Sequence, residues 1–171
     1  NVMKIFLVGM LGSGKTTLGK PLAERLNVQF IDLDWEIEKR ENKSVNKIFS
    51  QHGEDHFRQI EAELLREWAG SSESFVMGTG GGAPCFYNGM DVINASGLSI
   101  FLDVPVEELK SRLAQATDRP LLQSTDENER ETKLRTLRAA RLPVYQQSHV
   151  VIQEPTLEKL LSAVLKSKAE G

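Results

Sequence analysis

The stretch Gly9-Met10-Leu11-Gly12-Ser13-Gly14-Lys15-Thr16 is the most informative part of the chain. It fits the pattern G-x-x-x-x-G-K-[ST], whose glycines let the backbone curl so that successive N–H groups point at phosphate oxygens. A mostly apolar run at residues 4–8 precedes it, and Leu18, Leu22 and Leu26 follow at four-residue spacing. A predicted strand and a predicted amphipathic helix therefore flank the motif, and the N-terminus of that helix adds positive potential. This context indicates a site for nucleotide phosphates, and the alternative is a glycine-rich turn that binds nothing.

Two side chains of this loop have predicted chemical roles. Lys15 is expected to reach the β and γ phosphates of ATP. Thr16 is expected to offer its hydroxyl to Mg²⁺, which neutralises charge on the phosphate oxygens during transfer. The loop alone predicts nucleotide binding and leaves the use of the nucleotide open.

Short apolar or β-branched runs alternate with helix-period segments along the rest of the chain. This alternation predicts an α/β fold with a parallel sheet and helices on its faces. The predicted strands are residues 4–8, 28–31, 75–77, 98–102 and 149–152. A core-facing helix is predicted from Phe57, Ile60, Leu64, Leu65 and Trp68. The last helix is predicted from the stripe of Leu157, Leu160, Leu161, Val164 and Leu165, which we expect to pack against the sheet.

The bulk composition bounds the class of protein. A chain of 171 residues with 40% apolar and 26% charged residues is expected to form one globular domain, residues 1–171. The net charge is −3 and the basic residues are scattered, which argues against a nucleic-acid partner. No apolar run approaches the ~18 residues of a membrane span and no cleavable leader is visible, so we expect a cytoplasmic protein without a membrane partner. Cys85 is the only cysteine, which excludes an intrachain disulfide and favours a structural role.

Two polar stretches interrupt the apolar pattern. Residues 35–56 are charged and follow the second predicted strand, and residues 115–130 are polar with few apolar side chains. We expect both to be less packed than the core. They are candidates for a substrate subdomain and a mobile lid.

Asp32 and Asp34 end the second predicted strand at a spacing of two. Side chains two apart on a strand leave on the same side, and the carboxyl edge of an open α/β sheet is where ligands bind. The alternative for either residue is a helix cap or a solvated loop start. The pair beside the phosphate loop favours a functional role.

Glycines and arginines supply the other candidate substrate contacts. Gly78-Thr79-Gly80-Gly81-Gly82 follows the third predicted strand, which suggests backbone packed directly against a ligand rather than a flexible turn. Arg58 and Arg141 would suit an anionic substrate, because guanidinium pairs with carboxylate through two parallel hydrogen bonds. Each arginine alone fits a surface position equally well, and their convergence cannot be predicted from the sequence.

Three other residues are assigned no chemistry. Asp103 ends an apolar run before Val104-Pro105, and we expect it to be a turn or capping residue rather than a metal ligand. His52 and His56 are four apart, but Gly53 lies between them and no third ligand is evident. A solvated helix start is the favoured interpretation of the histidine pair.

Together, these residues resemble the shikimate kinase family from about Met3 to Tyr145. The shared features, in the family's order, are Gly-Ser-Gly-Lys-Thr-Thr from Gly12 to Thr17, Phe30-Ile31-Asp32-Leu33-Asp34, Phe57-Arg58 with Glu61, Gly80-Gly81-Gly82, Arg119-Pro120-Leu121-Leu122, and Arg141 with Pro143 and Tyr145. The combination is specific, whereas the phosphate loop alone is not.

This resemblance implies a nucleoside-monophosphate-kinase-like P-loop fold, a three-layer sandwich around a five-stranded parallel sheet. It implies a helical substrate-binding insertion at about residues 33–61 and a mobile lid at about residues 113–126. The implied reaction transfers the γ-phosphate of ATP to the 3-hydroxyl of shikimate, with Mg²⁺, in chorismate and aromatic amino acid biosynthesis. A kinase of this size is expected to work as a monomer.

Site roles follow from the same resemblance. Lys15, Asp34 and Arg119 are the implied catalytic residues, with Asp34 activating the acceptor hydroxyl and Arg119 swinging onto the phosphates. The implied substrate contacts are Asp34, Arg58, Gly80, Gly81, Gly82 and Arg141. The implied ATP contacts are Gly12, Ser13, Gly14, Lys15, Thr16, Thr17, Arg112, Arg119, Gln153 and Pro155, with Arg112 stacked on adenine. Thr16 and Asp32, the latter through water, are the implied magnesium ligands.

The end of the chain departs from the family, because Ile152-Gln153-Glu154-Pro155 replaces a longer, Asp-containing loop. Two rival functions also stay open. One is another small-molecule kinase of the same fold, acting on gluconate or a nucleoside monophosphate. The other is a nucleotide-dependent binding module that has lost catalysis, against which the intact Lys15, Thr16, Asp32, Asp34 and Arg119 argue.

Overall fold

The computed structural model describes residues 1–114 and 126–170. Within them, one sheet has five strands that pair in parallel in the order β2-β3-β1-β4-β5. The strands are β1 (Lys4–Val8), β2 (Gln29–Asp32), β3 (Phe75–Gly78), β4 (Leu98–Asp103) and β5 (Val150–Gln153). The helices are α1 (Lys15–Leu26), α2 (Leu33–Glu41), α3 (Val45–Ala69), α4 (Gly89–Ser96), α5 (Val106–Leu113), α6 (Glu127–Tyr145) and α7 (Leu157–Glu170), with a short 3-10 helix at Ala83–Cys85.

Two apolar clusters cover the two faces of this sheet. Phe6 and Val8 point into a cluster with residues of α2 to α6, and Ile5 and Leu7 point into one with residues of α1 and α7. Successive strand side chains alternate between faces, so a strand buried on both sides needs a continuous apolar run. The parallel α/β sheet predicted from the sequence pattern, and the three-layer sandwich implied by the resemblance, are confirmed.

All five predicted strands are present, with ends shifted by one residue at most. β2 starts at Gln29 and runs to Asp32, and β5 starts at Val150. Asp32 pairs with Gly78, and Asp103 with Gln153. Strand pairing through the backbone thus continues past the apolar residues from which the strands were predicted.

The last helix corrects one core assignment. Leu160 and Val164 are buried, but Leu165 is 58% exposed. Leu165 is eight residues after Leu157, and eight residues rotate a side chain about 80° beyond two full turns of the helix. Leu165 therefore lies at the edge of the apolar stripe. The stripe that α7 packs on the sheet is therefore narrower than predicted.

Residues 35–56 are better packed than expected. Ile37 and Ile48 are 0% and 1% exposed. α3 starts after Ser44, whose hydroxyl accepts from the N–H of Lys47 at 3.2 Å, and it is kinked at Gly53, where φ is 85°. This segment is a packed helical pair beside the sheet rather than a loose insertion.

His52, His56 and Asp103, to which no chemistry was assigned, contact neighbouring side chains. His52 and His56 flank the kink in α3 with ring centroids 4.7 Å apart. Asp103 is not a cap, because its Oδ1 accepts from Arg138 Nη2 at 2.5 Å and Pro105 is the N-cap of α5. Among the residues that the structure describes, no group of three or more His, Cys, Asp or Glu is arranged to hold a metal ion.

The predicted lid and one predicted phosphate contact fall on residues that the structure does not describe. The predicted lid at about residues 113–126 lies almost wholly outside the described residues, and Arg119 lies outside them too.

Over residues 1–114 and 126–170, no helix is both long and apolar enough to cross a membrane.

Candidate active site

The phosphate loop lies where the direction of strand order changes. β1 has β3 on one side and β4 on the other, and such a switch point opens a crevice at the carboxyl ends of the strands. A cavity of about 610 Å³ occupies this crevice. The residues from Leu11 to Leu18 line it, together with Asp32, Asp34 and Pro155.

The glycines of the loop are required by its backbone. Gly9, Gly12 and Gly14 have φ of 149°, 86° and 102°, a region that other residues rarely adopt. At Gly9 a Cβ would also lie 3.0 Å from the carbonyl oxygen of Leu102. The Lys15 ammonium donates to the carbonyl of Gly9 at 2.5 Å, which holds it over the loop.

The first turn of α1 faces the same cavity. Gly14 is the N-cap of α1, and the exposed residues Thr16 and Thr17 line the cavity beside it. The N–H groups of this first turn and the positive end of the helix dipole therefore point at the space where phosphates would lie. Ser13, by contrast, is 1% exposed and turned into the loop.

Asp32 and Asp34 both reach this cavity, but not for the predicted reason. Asp32 ends β2 and is the N-cap of α2, where its Oδ1 accepts from the N–H of Trp35 at 3.3 Å. Asp34 lies in the first turn of α2 rather than on the strand. The prediction from strand alternation was therefore wrong for Asp34, which reaches the site because α2 begins directly after β2.

A second cavity opens beside the first and shares Leu11, Asp34, Gly80 and Gly81 with it. Its polar lining is Asp34, Arg58, Glu61 and Arg141, and its apolar lining includes Val45, Phe49, Phe57, Leu134 and Leu137. The mixed lining suits a small molecule with charged and apolar parts. Asp34 is the one acidic side chain that lines both cavities, among the described residues.

The structure brings Arg58 and Arg141 together against the glycine segment. They are 4% and 7% exposed. A Cβ on Gly81 would lie 2.8 Å from Nη1 of Arg141, and one on Gly82 would lie 2.5 Å from Nη1 of Arg58. A side chain at either glycine would therefore displace a guanidinium group, whereas the backbone angles here would accept other residues.

Arg58 is held on several sides. Its guanidinium carbon lies 4.4 Å from the ring centroid of Phe86. Nη1 donates to Glu61 Oε1 at 3.0 Å, and Nη2 donates to Glu54 Oε2 at 3.3 Å. The charge of Arg58 is thus paired and its plane is fixed before any ligand arrives.

Glu61 is a site residue that was not predicted as one, although it appeared among the family-like features. It is 1% exposed, and a Cβ on Gly80 would lie 2.9 Å from its Oε2 and 2.9 Å from Asp34 Oδ1. Burial raises the pKa of Glu61 to about 7, a rise that Arg58 opposes and Asp34 reinforces. The available signal was its spacing of three from Arg58, which places both on one helix face.

Tyr145 also belongs to the site through the glycine segment. Its hydroxyl donates to the carbonyl of Gly81 at 2.5 Å, and its ring packs on Phe101 at 5.1 Å between centroids. Burial raises the pKa of this phenol. Tyr145 therefore holds the backbone against which the arginines pack.

Arg112, Gln153 and Pro155, which were expected to contact ATP, do not all line the same cavity. Arg112 lines the large cavity, where its Nη1 donates to the carbonyl of Gly12 at 2.7 Å and its Nη2 to Glu108 at 2.8 Å. Pro155 lines the same cavity. Gln153 does not, because it ends the edge strand β5 and lines a separate groove beside Lys159.

Comparison with known proteins identifies the family of the chain. Residues 11–167 match the family described as shikimate kinase. A shikimate kinase of Bacteroides fragilis is 44% identical over 158 residues, which span 92% of this chain and 88% of that protein. The crystal structure of a shikimate kinase from Bacteroides thetaiotaomicron superposes with a TM-score of 0.86 at 40% identity, covering 98% of this chain and 97% of that one.

A second solved structure carries a bound ligand. It is a shikimate kinase from Acinetobacter baumannii in complex with shikimate, with a TM-score of 0.91, 34% identity, and coverage of 98% of this chain and 96% of that one. Sequence match and superposition both extend across nearly the whole domain. The chain therefore belongs to the shikimate kinase family, and it is an ATP-dependent phosphotransferase with an alcohol acceptor.

Proposed function

We propose that the chain transfers the γ-phosphate of ATP to the 3-hydroxyl of shikimate, giving ADP and shikimate 3-phosphate for chorismate and aromatic amino acid biosynthesis. The observation that carries this proposal is the junction of two cavities at Asp34. One contains the phosphate loop, and the other contains two buried arginines. A phosphoryl donor and an anionic acceptor can thus meet at one carboxylate.

ATP would bind in the larger cavity with its phosphates on the loop. The N–H groups from Gly12 to Thr17 and the Lys15 ammonium would hold the phosphate oxygens, which requires Lys15 to leave the carbonyl of Gly9. Arg112 and Pro155 lie on the wall suited to the base. Arg119 is proposed to complete the phosphate contacts.

The donor set at the loop suits Mg²⁺. Thr16 supplies a hydroxyl oxygen and Asp32 a carboxylate, and both line the same cavity. Magnesium prefers oxygen ligands and keeps several waters, so one or two protein oxygens plus phosphates are sufficient. When bound, the ion would neutralise charge on the phosphate oxygens.

Shikimate would lie in the second cavity. Its carboxylate would pair with Arg58 and Arg141, since planar guanidinium groups bind carboxylates in two-point geometry. Its ring hydroxyls would face Asp34 and the backbone from Gly80 to Gly82. The apolar side chains of α3 and α6 would cover the ring.

In the chemical step, the 3-oxygen of shikimate forms a bond to the γ-phosphorus while the bond from that phosphorus to the β–γ bridging oxygen breaks. Asp34 orients the attacking hydroxyl and accepts its proton. Lys15 stabilises negative charge on the phosphoryl oxygens, so catalysis rests on positioning and charge. Closure of a lid at about residues 113–126 would exclude water, which otherwise competes as acceptor.

We further propose that the protein acts in the cytoplasm as a monomer and has no nucleic-acid or membrane partner. A net charge of −3 with scattered basic residues supports the absence of a nucleic-acid partner.

The function is tested by a coupled assay of ADP release with ATP and Mg²⁺. Shikimate, gluconate, nucleoside monophosphates and no acceptor are compared at equal concentration. Strong stimulation by shikimate alone is the expected result. Stimulation by another acceptor would replace the substrate, and no stimulation by any acceptor would favour a binding module.

Replacing Arg58 by Ala should raise the KM for shikimate by about 10- to 100-fold while changing the KM for ATP much less. The reason is that a charge-assisted pair with the substrate carboxylate is worth about 1.5–3 kcal/mol. Steady-state kinetics with each substrate varied in turn measure the two constants. Arg66→Ala, at an exposed position of the same helix, is the matched control. An unchanged shikimate KM in the Arg58 variant would remove Arg58 from the site.

A further inference from the structure

The two carboxylates that flank Arg58 differ in their freedom to leave it. Glu61 is 1% exposed and accepts from Nη1 at 3.0 Å. The side chain of Glu54 is 49% exposed, and it accepts from Nε and Nη2, each at 3.3 Å. An incoming carboxylate can therefore displace Glu54 into water, whereas Glu61 must stay.

The two carboxylate oxygens of Glu61 differ in their hydrogen bonding. Oε2 is buried and has no hydrogen-bond partner within residues 1–114 and 126–170. It faces the same point at Gly80 as Asp34 Oδ1, each 2.9 Å from where a Cβ would lie. A buried oxygen without a donor, close to another carboxylate, is a position where a proton is stabilising.

Charged and titratable groups approach Glu61 from four elements. Arg58 comes from its own helix α3, Asp34 from α2, Arg141 from α6, and the half-buried thiol of Cys85 from the 3-10 helix. Two cations and one anion surround the carboxylate, and burial still raises its pKa to about 7. The free site is thus balanced between two protonation states near neutral pH.

A substrate carboxylate on Arg58 changes that balance. It replaces the half-exposed Glu54, whose charge is screened by water, with a negative charge inside the cavity near Glu61, and it takes up the guanidinium that had favoured the ionised form. Both effects favour the protonated form of Glu61. The new proton can reside on Oε2, at which none of the described residues points a donor.

We propose that Glu61 takes up a proton as the substrate carboxylate docks on Arg58, and that as a neutral acid it keeps Arg58 positioned without repelling the substrate. This inference rests on the proposed function, because it requires shikimate to bind at Arg58. Glu61 acts through Arg58 and is a positioning residue.

Linkage fixes the direction of the pH effect. The complex holds more protons than the free enzyme, so affinity for shikimate falls as pH rises. The fall starts near pH 7, the pKa of Glu61 in the free enzyme, and approaches about tenfold per pH unit until the complex itself loses the proton. Below pH 6 Glu61 is protonated in both the free enzyme and the complex, so its titration should no longer change the affinity for shikimate.

Isothermal titration calorimetry of shikimate into the nucleotide-free protein measures the proton directly. Titrations at pH 7 in two buffers of different ionisation enthalpy should show uptake of about half a proton per shikimate bound, since Glu61 begins half protonated at its pKa of about 7. Repeating them from pH 6 to 8.5 should show uptake rising with pH.

Two variants assign the proton to Glu61. Glu61→Gln mimics the neutral acid and should bind shikimate with no proton uptake and no fall in affinity above pH 7. Glu54→Gln, which changes the exposed carboxylate on the same guanidinium, should keep the wild-type proton uptake. The same uptake in Glu61→Gln as in the wild type would place the proton elsewhere and overturn the inference.

Binding of shikimate by the wild type without proton uptake would overturn the inference and leave the proposed function intact. Absence of both binding and shikimate-dependent ADP release would overturn the proposed function and the inference with it. If Glu61→Gln does not fold, the pH series on the wild type still decides, because uptake that does not rise across pH 7 contradicts a group with this pKa.

Discussion

Replacing Lys15 by Ala should lower kcat by about three orders of magnitude. In the free protein the ammonium is held over the loop by the carbonyl of Gly9, with a second contact to that of Met10 at 3.4 Å. It is therefore positioned at the mouth of the loop before ATP arrives. Removal of one group that stabilises charge in the transition state costs about 10²- to 10³-fold, and loss of a cation at a transferring phosphoryl group costs more.

The measurement is kcat with saturating ATP and shikimate, with circular dichroism to confirm that the variant is folded. Lys20→Ala is the matched control, because Lys20 is exposed on the same helix and lies outside both cavities. Its kcat should be within about twofold of the wild type. A Lys15→Ala enzyme that retains more than a tenth of wild-type kcat would show that Lys15 does not contact the transferring group.

The change Asp34→Asn should lower kcat by about 10²- to 10⁴-fold and leave the KM for ATP nearly unchanged. Asn keeps the size and hydrogen-bonding capacity of the side chain but cannot accept a proton. General-base catalysis contributes about this factor. The effect falls on the chemical step because Asp34 lines both cavities at their junction.

Single-turnover measurements with excess enzyme separate this chemical step from product release. Glu36→Gln, two residues on in α2, is the matched control, since Glu36 pairs with Lys39 at 3.1 Å and lines neither cavity. A loss of less than tenfold in Asp34→Asn would mean that Asp34 orients the hydroxyl without taking its proton.

Much of the fold could be predicted because its signals are local. The phosphate loop carries its own geometry, since the glycines permit the positive φ angles of Gly9, Gly12 and Gly14. The central strands were found because a strand buried on both faces must be apolar throughout, as residues 5–8 are. Leu165 was misassigned because periodicity shows which residues share a stripe but not how wide the contact with the sheet is.

The candidate site was predicted less completely. Asp34 lines the cavity at which it was predicted, but the reason given was wrong, because the sequence does not mark the residue at which β2 becomes α2. Glu61 was not predicted as a site residue, since a glutamate among helical charges usually faces water. Gln153 was expected to contact ATP but lies on the edge strand, beside a separate groove.

The sequence by itself determined the α/β class, the phosphate loop and the residue types of the site, because these depend on neighbours in the chain. Only the tertiary structure decided that Arg58 and Arg141, 83 positions apart by their numbers, press on consecutive glycines. It alone decided that Glu61 is enclosed with Arg58 and faces Asp34. The physical reason is that burial, charge pairing and the pKa values that follow from them depend on which segments pack together, and that packing is a property of the whole fold.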